Sequence, residues 1–146
     1  REWLRRLHEE VDVTTIFVTH DQLEAMDVAD QIAVMNLARV EQVGAPDDLY
    51  DRPATQFVMS FVGDANHVGG AWVRPHDVEL GHLPSDGAVE ALVERVTRLG
   101  FEARIDCVTG DGDKIVVQTT RDELEGLELE RGQIVWARPR RERVFA

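Results

Sequence analysis

His20, Asp21 and Glu24 lie within one short run, TTIFVTHDQLEAMDVAD, from Thr14 to Asp30. An imidazole can donate one hydrogen bond and accept another. His20 could therefore read a terminal phosphate, or a water attacking it, without carrying a full charge. The apolar residues before it form a strand-like run, and a helix-like stretch follows at once. In open α/β sheets, ligands sit beyond the carboxyl ends of the strands. Two readings of His20 stand: a ligand-facing group at such a corner, or an ordinary polar residue closing a strand. Asp21 and Glu24 are open in the same way. They could be carboxylates at a site, but Asp followed three residues later by Glu is also the spacing of a capping box.

Other residues with chemical capacity are more scattered. Arg74 and His76 flank Pro75 and could bind an oxyanion such as sulfate, because guanidinium and imidazolium suit that charge; a structural strand and turn is the alternative. His67, His76, His82 and Cys107 do not have metal-ligand spacing, so no metal site is expected. Cys107, in RIDCV, reads as a small buried residue. The basic run from Arg138 to Arg143 lacks the interleaved aromatics of a stacking surface for single-stranded nucleic acid. Trp72 and Trp136 read as core residues.

The elements that must position these groups fall into two styles. Trp3, Leu4, Leu7 and Val11 have helical spacing. Thr14 to Thr19 is β-branched and aromatic, and predicts a short buried strand. Leu23, Ala25, Met26, Val28 and Ala29 supply the apolar face of a helix ending near Asp30. Ile32 to Met35 and Arg39 to Gly44 predict a hairpin. Pro46 with Asp47 and Asp48 marks a helix start; Pro53 is expected to open another, stopped at Gly63. Asp64 to Gly70, DANHVGG, reads as a linker. Beyond it come short alternating runs divided by Gly, Asp and Pro, with a hairpin signal at Asp111 to Asp113, as in a small barrel or sandwich. One helical turn is expected before Gly132. The expected division is 1–63, then a linker at 64–70, then a β domain at 71–146. The fold class is α/β plus all-β.

Composition narrows the function. The 16 basic and 28 acidic residues give a formal net charge of −12, which argues against nonspecific binding to nucleic acid or anionic membrane. No apolar stretch approaches the roughly 20 residues of a membrane helix, so no direct membrane insertion is expected. The single cysteine cannot form an internal disulfide, which fits a reducing setting. The opening, REWLRRLHEE, has no initiator methionine and reads as a fragment cut inside a helix.

The stretch IFVTHDQLEAMDVADQIAVMN resembles the region around the switch histidine of ATP-binding-cassette (ABC) importer ATPases. RVEQVGAPDDLYDRPATQFVMSFVG continues that resemblance. WVRPHDVEL (Trp72 to Leu80) and RGQIVWARPRRERVF resemble the sulfate and thiosulfate importer branch. The resemblance implies the C-terminal end of a P-loop ABC ATPase domain followed by a small OB-like (TOBE/MOP-like) regulatory β-barrel. It implies that His20 contacts the γ-phosphate of ATP and helps position the attacking water, with Asp21 beside it at the nucleotide. It further implies ATP and Mg as cofactors of the full-length subunit, a second ATPase subunit and transmembrane permease subunits as partners, no nucleic acid, and a cytoplasmic, peripheral location on the inner face of the membrane. The P-loop, the acidic strand end and the signature sequence are not in these residues, so ATP hydrolysis and bound cofactor are not expected of this chain alone. A stand-alone regulatory, dimerisation or oxyanion-sensing module is the rival reading. Two departures from the family stand out. Leu37-Ala38 occupies a hairpin turn where glycine is expected, implying strain at positive φ. The interval from Gly63 to Trp72 is short, so a first β-domain strand is expected to be missing and the barrel incomplete or completed by another chain. Exposed strand edges then favour self-association.

Overall fold

A computed structural model describes residues 2–142 and 144–145, which leaves Arg143 of the basic run outside the described residues. The chain divides into two compact units, Arg1–Gly63 and Asp64–Ala146.

The first unit contains α1 (Glu2–Glu10), α2 (Gln22–Val28), the hairpin β1 (Ile32–Asn36) and β2 (Arg39–Gly44), α3 (Pro46–Asp51) and α4 (Gln56–Val62). α3 begins on Pro46 with Asp47 and Asp48 in its first turn, where a fixed φ and negative charge suit the helix start. α4 begins three residues later than Pro53, because the Thr55 hydroxyl accepts a bond from Val58 N at 3.2 Å and caps it. Val34, Leu49, Val58 and Val62 form a small core, with Ile32, Tyr50, Phe57 and Phe61 packed against it. Phe57 and Phe61, one helical turn apart, stack with centroids 5.4 Å apart.

The strand predicted over Thr14 to Thr19 does not form. The segment is without regular structure, and Ile16 and Val18 are 89% and 91% exposed. A buried strand needs neighbours to satisfy its peptide groups and cover its faces. Among the described residues no strand pairs with this one. α1 forms as expected, but none of its residues is buried, and Trp3 is 70% exposed.

The β1–β2 turn carries the expected strain. Leu37 and Ala38 have φ of 49° and 61°, the left-handed pair that a two-residue hairpin turn demands and that Asn-Gly usually supplies.

The second unit begins inside the stretch expected to be a linker. β3 (Asn66–Val68) pairs with β4 (Ala71–Val73) through a turn at Gly69 and Gly70, with φ of 58° and 85°. The short interval thus holds a strand rather than lacking one. After a 3-10 turn over Pro75–Asp77 come β5 (Val78–Gly81), β6 (Val89–Leu99), β7 (Glu102–Thr109), β8 (Lys114–Thr120), α5 (Arg121–Leu127) and β9 (Ile134–Pro139). Five of these strands form an antiparallel sheet in the order β5-β9-β6-β7-β8. Alternate residues face the core: Ala103, Ile105 and Cys107 on β7, and Ile115 and Val117 on β8, are buried with Val73, Val93, Leu124, Val135 and Ala137. Trp72 and Trp136 are only half-buried, and Trp72 meets His67 at 5.1 Å between ring centroids.

One side chain ties β3 to the sheet. Asn66, 4% exposed, donates Nδ2 to Val116 O at 2.7 Å and accepts from Val116 N at 2.9 Å. Its amide thereby stands in for a peptide group on the open side of edge strand β8. Asn66→Ala should leave both Val116 groups unsatisfied and lower stability by about 2 kcal/mol, read by urea unfolding. Asn66→Gln would lose nothing if the amide were merely solvated. At the strained turn, Ala38→Gly should raise the stability of the first unit by about 1 kcal/mol; an unchanged or lowered midpoint would contradict the strain.

Candidate functional site

His20 sits on the bend between the extended 14–19 segment and α2, with its ring exposed. The residues on either side are fixed by a compact set of hydrogen bonds. Asp21 Oδ1 accepts from Glu24 N at 3.0 Å and caps α2. Asp21 N in turn donates to Thr19 Oγ1 at 3.0 Å. Thr19 Oγ1 donates to Glu24 Oε2 at 3.1 Å, closing the set. This is a capping box in which the glutamate reaches a threonine hydroxyl rather than the cap residue's own N–H. Its consequence is positional: the backbone before and after His20 is held, and the imidazole is left facing outward.

Thr19 is the residue that the sequence reading missed. A hydroxyl accepting from the N–H two residues on is a common local turn, so a threonine two residues before a helix-capping aspartate was the available signal. Asp21 and Glu24 both serve the cap. The arrangement can present an imidazole to a ligand. It offers no cluster of His, Cys, Asp or Glu that could hold a metal ion among the described residues.

The pair proposed for an oxyanion divides. Arg74 is 5% exposed and donates Nη1 to the Asp64 carbonyl at 3.0 Å. It lies inside the second unit and fastens the entry of the chain to the start of the 3-10 turn. His76 is exposed on that turn, with Nε2 3.6 Å from Asp77 Oδ2. The geometry suits a structural role for Arg74 better than capture of a dissolved anion. Cys107 is buried, and burial, reinforced by Asp106 and Glu94, pushes its thiol up to about 12, far from the thiolate a nucleophile needs. In the basic run, Arg138 Nη2 donates to Glu79 Oε2 at 2.7 Å, and Arg140 Nε stands 3.9 Å from the same oxygen.

Known proteins resemble the chain along nearly its whole length. Residues 83–140, most of the second unit, match the TOBE-like domain family. The sulfate/thiosulfate import ATP-binding protein CysA of Nocardia farcinica is 53% identical, over 97% of this chain and 46% of its own length. The proteins of the same name from Mycobacterium tuberculosis and Synechococcus elongatus are 47% and 46% identical, over 97% and 99% of this chain and 44% and 47% of theirs. A solved structure, the cytoplasmic molybdate-binding protein ModG with molybdate bound, is a partial likeness: TM-score 0.42 and 19% identity, over 46% of this chain and 52% of that one. The chain matches the C-terminal part of the ATP-binding subunits of ABC importers, and carries an α/β segment followed by a TOBE-like β domain. The relatives it matches within that class carry the name sulfate/thiosulfate import ATP-binding protein. It spans about half the length of the curated relatives it matches.

The Glu79 carboxyl is held below its ordinary range, first by its hydrogen bond from Arg138 and then by the charges of Arg138 and Arg140. Its folded pKa is therefore below its unfolded one. Whatever stability the pair adds is complete above the usual carboxylate range and fades as pH falls through the folded value. Glu79→Gln should lower the unfolding midpoint slightly at neutral pH, as expected for an exposed pair. The gap from the parent should close as the solution is acidified. A gap constant with pH would mean that packing, not charge, is responsible.

Proposed function

We propose that this chain works as the C-terminal part of the ATP-hydrolysing subunit of an importer of sulfate or thiosulfate. His20 contacts the γ-phosphate of ATP and helps orient the attacking water. The observation that carries this reading is the bonded Thr19-Asp21-Glu24 cap, which holds the backbone around His20 and leaves its ring outward. Phosphoryl transfer needs a phosphate cradle, a metal and a positioned water acting together. In the full-length subunit, residues outside this chain supply the cradle and hold Mg. The imidazole then contributes a donor and acceptor at the phosphate, and Asp21 stays at the helix cap beside it. The second unit serves as the regulatory domain. The partners are a second ATPase subunit and the transmembrane permease subunits, and the complex works on the cytoplasmic face of the membrane. No helix among the described residues is long and apolar enough to cross it.

The test joins this chain to the preceding half of the Nocardia farcinica relative. The chimera should hydrolyse MgATP, and His20→Ala should reduce kcat by about a hundredfold or more while ATP binding is retained. Equal turnover by the two proteins would remove His20 from the mechanism. The chain by itself should show no thermal shift with MgATP. A ligand at about 100 times its Kd would stabilise it by about 2.7 kcal/mol, so a saturable shift would mean that these residues hold a nucleotide unaided.

A further inference from the structure

The second unit has a cleft of about 250 Å³ between its two edge strands, β5 and β8, with α5 along one side. Leu80, Ile105, Val117 and Leu127 are among its apolar lining, with Leu127 the most exposed of them. Charged groups also line it: Glu79, Glu123 and Arg140. Glu79 is already engaged by Arg138 at 2.7 Å. Arg140, by contrast, is 3.9 Å from Glu79 through Nε, beyond hydrogen-bond distance, and its side chain is half-exposed. Glu123 uses Oε2 to accept from Thr119 Oγ1, and its other carboxylate oxygen can accept in addition. With Glu79 matched to Arg138, the cleft presents one cation, one anion and an apolar floor.

That combination selects a molecule carrying both charges at one end and hydrocarbon at the other. A guanidinium takes a carboxylate through its paired N–H groups, and a carboxylate takes an ammonium. Size agrees: an apolar cavity of about 150 Å³ holds benzene, so this one has room for a few more heavy atoms. We propose that the cleft binds a small α-amino acid with an apolar side chain, with Arg140 on its carboxylate, Glu123 on its ammonium, and its side chain on Leu80, Ile105, Val117 and Leu127. The site stands on the second unit alone, and does not depend on the importer reading.

Gly126 allows a clean test. It lines the cleft, and a Cβ built there meets nothing within 4 Å. Gly126→Leu should therefore be accepted at the Cβ and add bulk to the cleft wall, and replacing glycine in a helix favours folding. Amide-resolved NMR spectra of the whole chain would be recorded with L-leucine, isoamylamine and isocaproate, each raised through the millimolar range. L-leucine should give saturable shifts centred on β5, β8 and α5, and each single-charge analogue should bind at least about tenfold more weakly. Arg140→Ala and Glu123→Gln should each weaken L-leucine by a similar factor, and Gly126→Leu should abolish binding in a folded protein. The proposal is overturned if L-leucine produces no saturable shift. It is equally overturned if all three ligands bind alike, which would describe only an apolar groove, or if Gly126→Leu binds as the parent does.

Discussion

Every strand edge exposes peptide groups that need a partner, and how that need is met separates the two halves of this molecule. In the second unit, five strands satisfy one another, and the outer side of β8 receives the side-chain amide of Asn66. Around that ladder a contiguous core closes. In the first unit, the most strand-like segment of the sequence has no such partner among the described residues. Its β-branched residues stay exposed, and the core that does form lies elsewhere, under the β1–β2 hairpin. Intrinsic preference for extended structure cannot make a strand without a ladder to join.

The same accounting explains why the backbone around His20 is held although the segment leading to it is without regular structure. The cap of α2 draws on local groups alone: a hydroxyl, two carboxylates and two backbone N–H groups within six residues. Local bonds of this kind survive where long-range pairing is absent. The side chain of His20 therefore starts from a fixed stretch of backbone.

Much of this was legible in the sequence. Proline and aspartate at α3, the hairpin around residues 37 and 38, the alternating strands of the second unit and the turn at Asp111 to Asp113 each depend on neighbours close along the chain. So does the cap at Asp21 and Glu24. What escaped reading depends on distant residues. Thr14 to Thr19 has a strand's composition and no pairing strand among the described residues. Asp64 to Gly70 has a linker's composition, yet Asn66 is fixed by a residue 50 positions away. The burial of Arg74 against Asp64 O and the cleft between β5 and β8 likewise arise only when separate strands meet. The expectation of a missing strand failed because a three-residue strand gives almost no pattern to read.

The Asn66 contact also bears on the order in which the second unit assembles. β6, β7 and β8 form a meander whose neighbours are joined by tight turns, so each pairing closes a short loop. The bond from Asn66 to Val116 closes a loop of 50 residues, and the entropy of closure grows with that length. It also has no acceptor geometry to find until β8 is already laid against β7. Contact order therefore places the meander before both the docking of β3 and the pairing of β5 with β9, which joins Val78 to Pro139. The entry of the domain thus docks late, and Val68 and Val73 complete the core when it does.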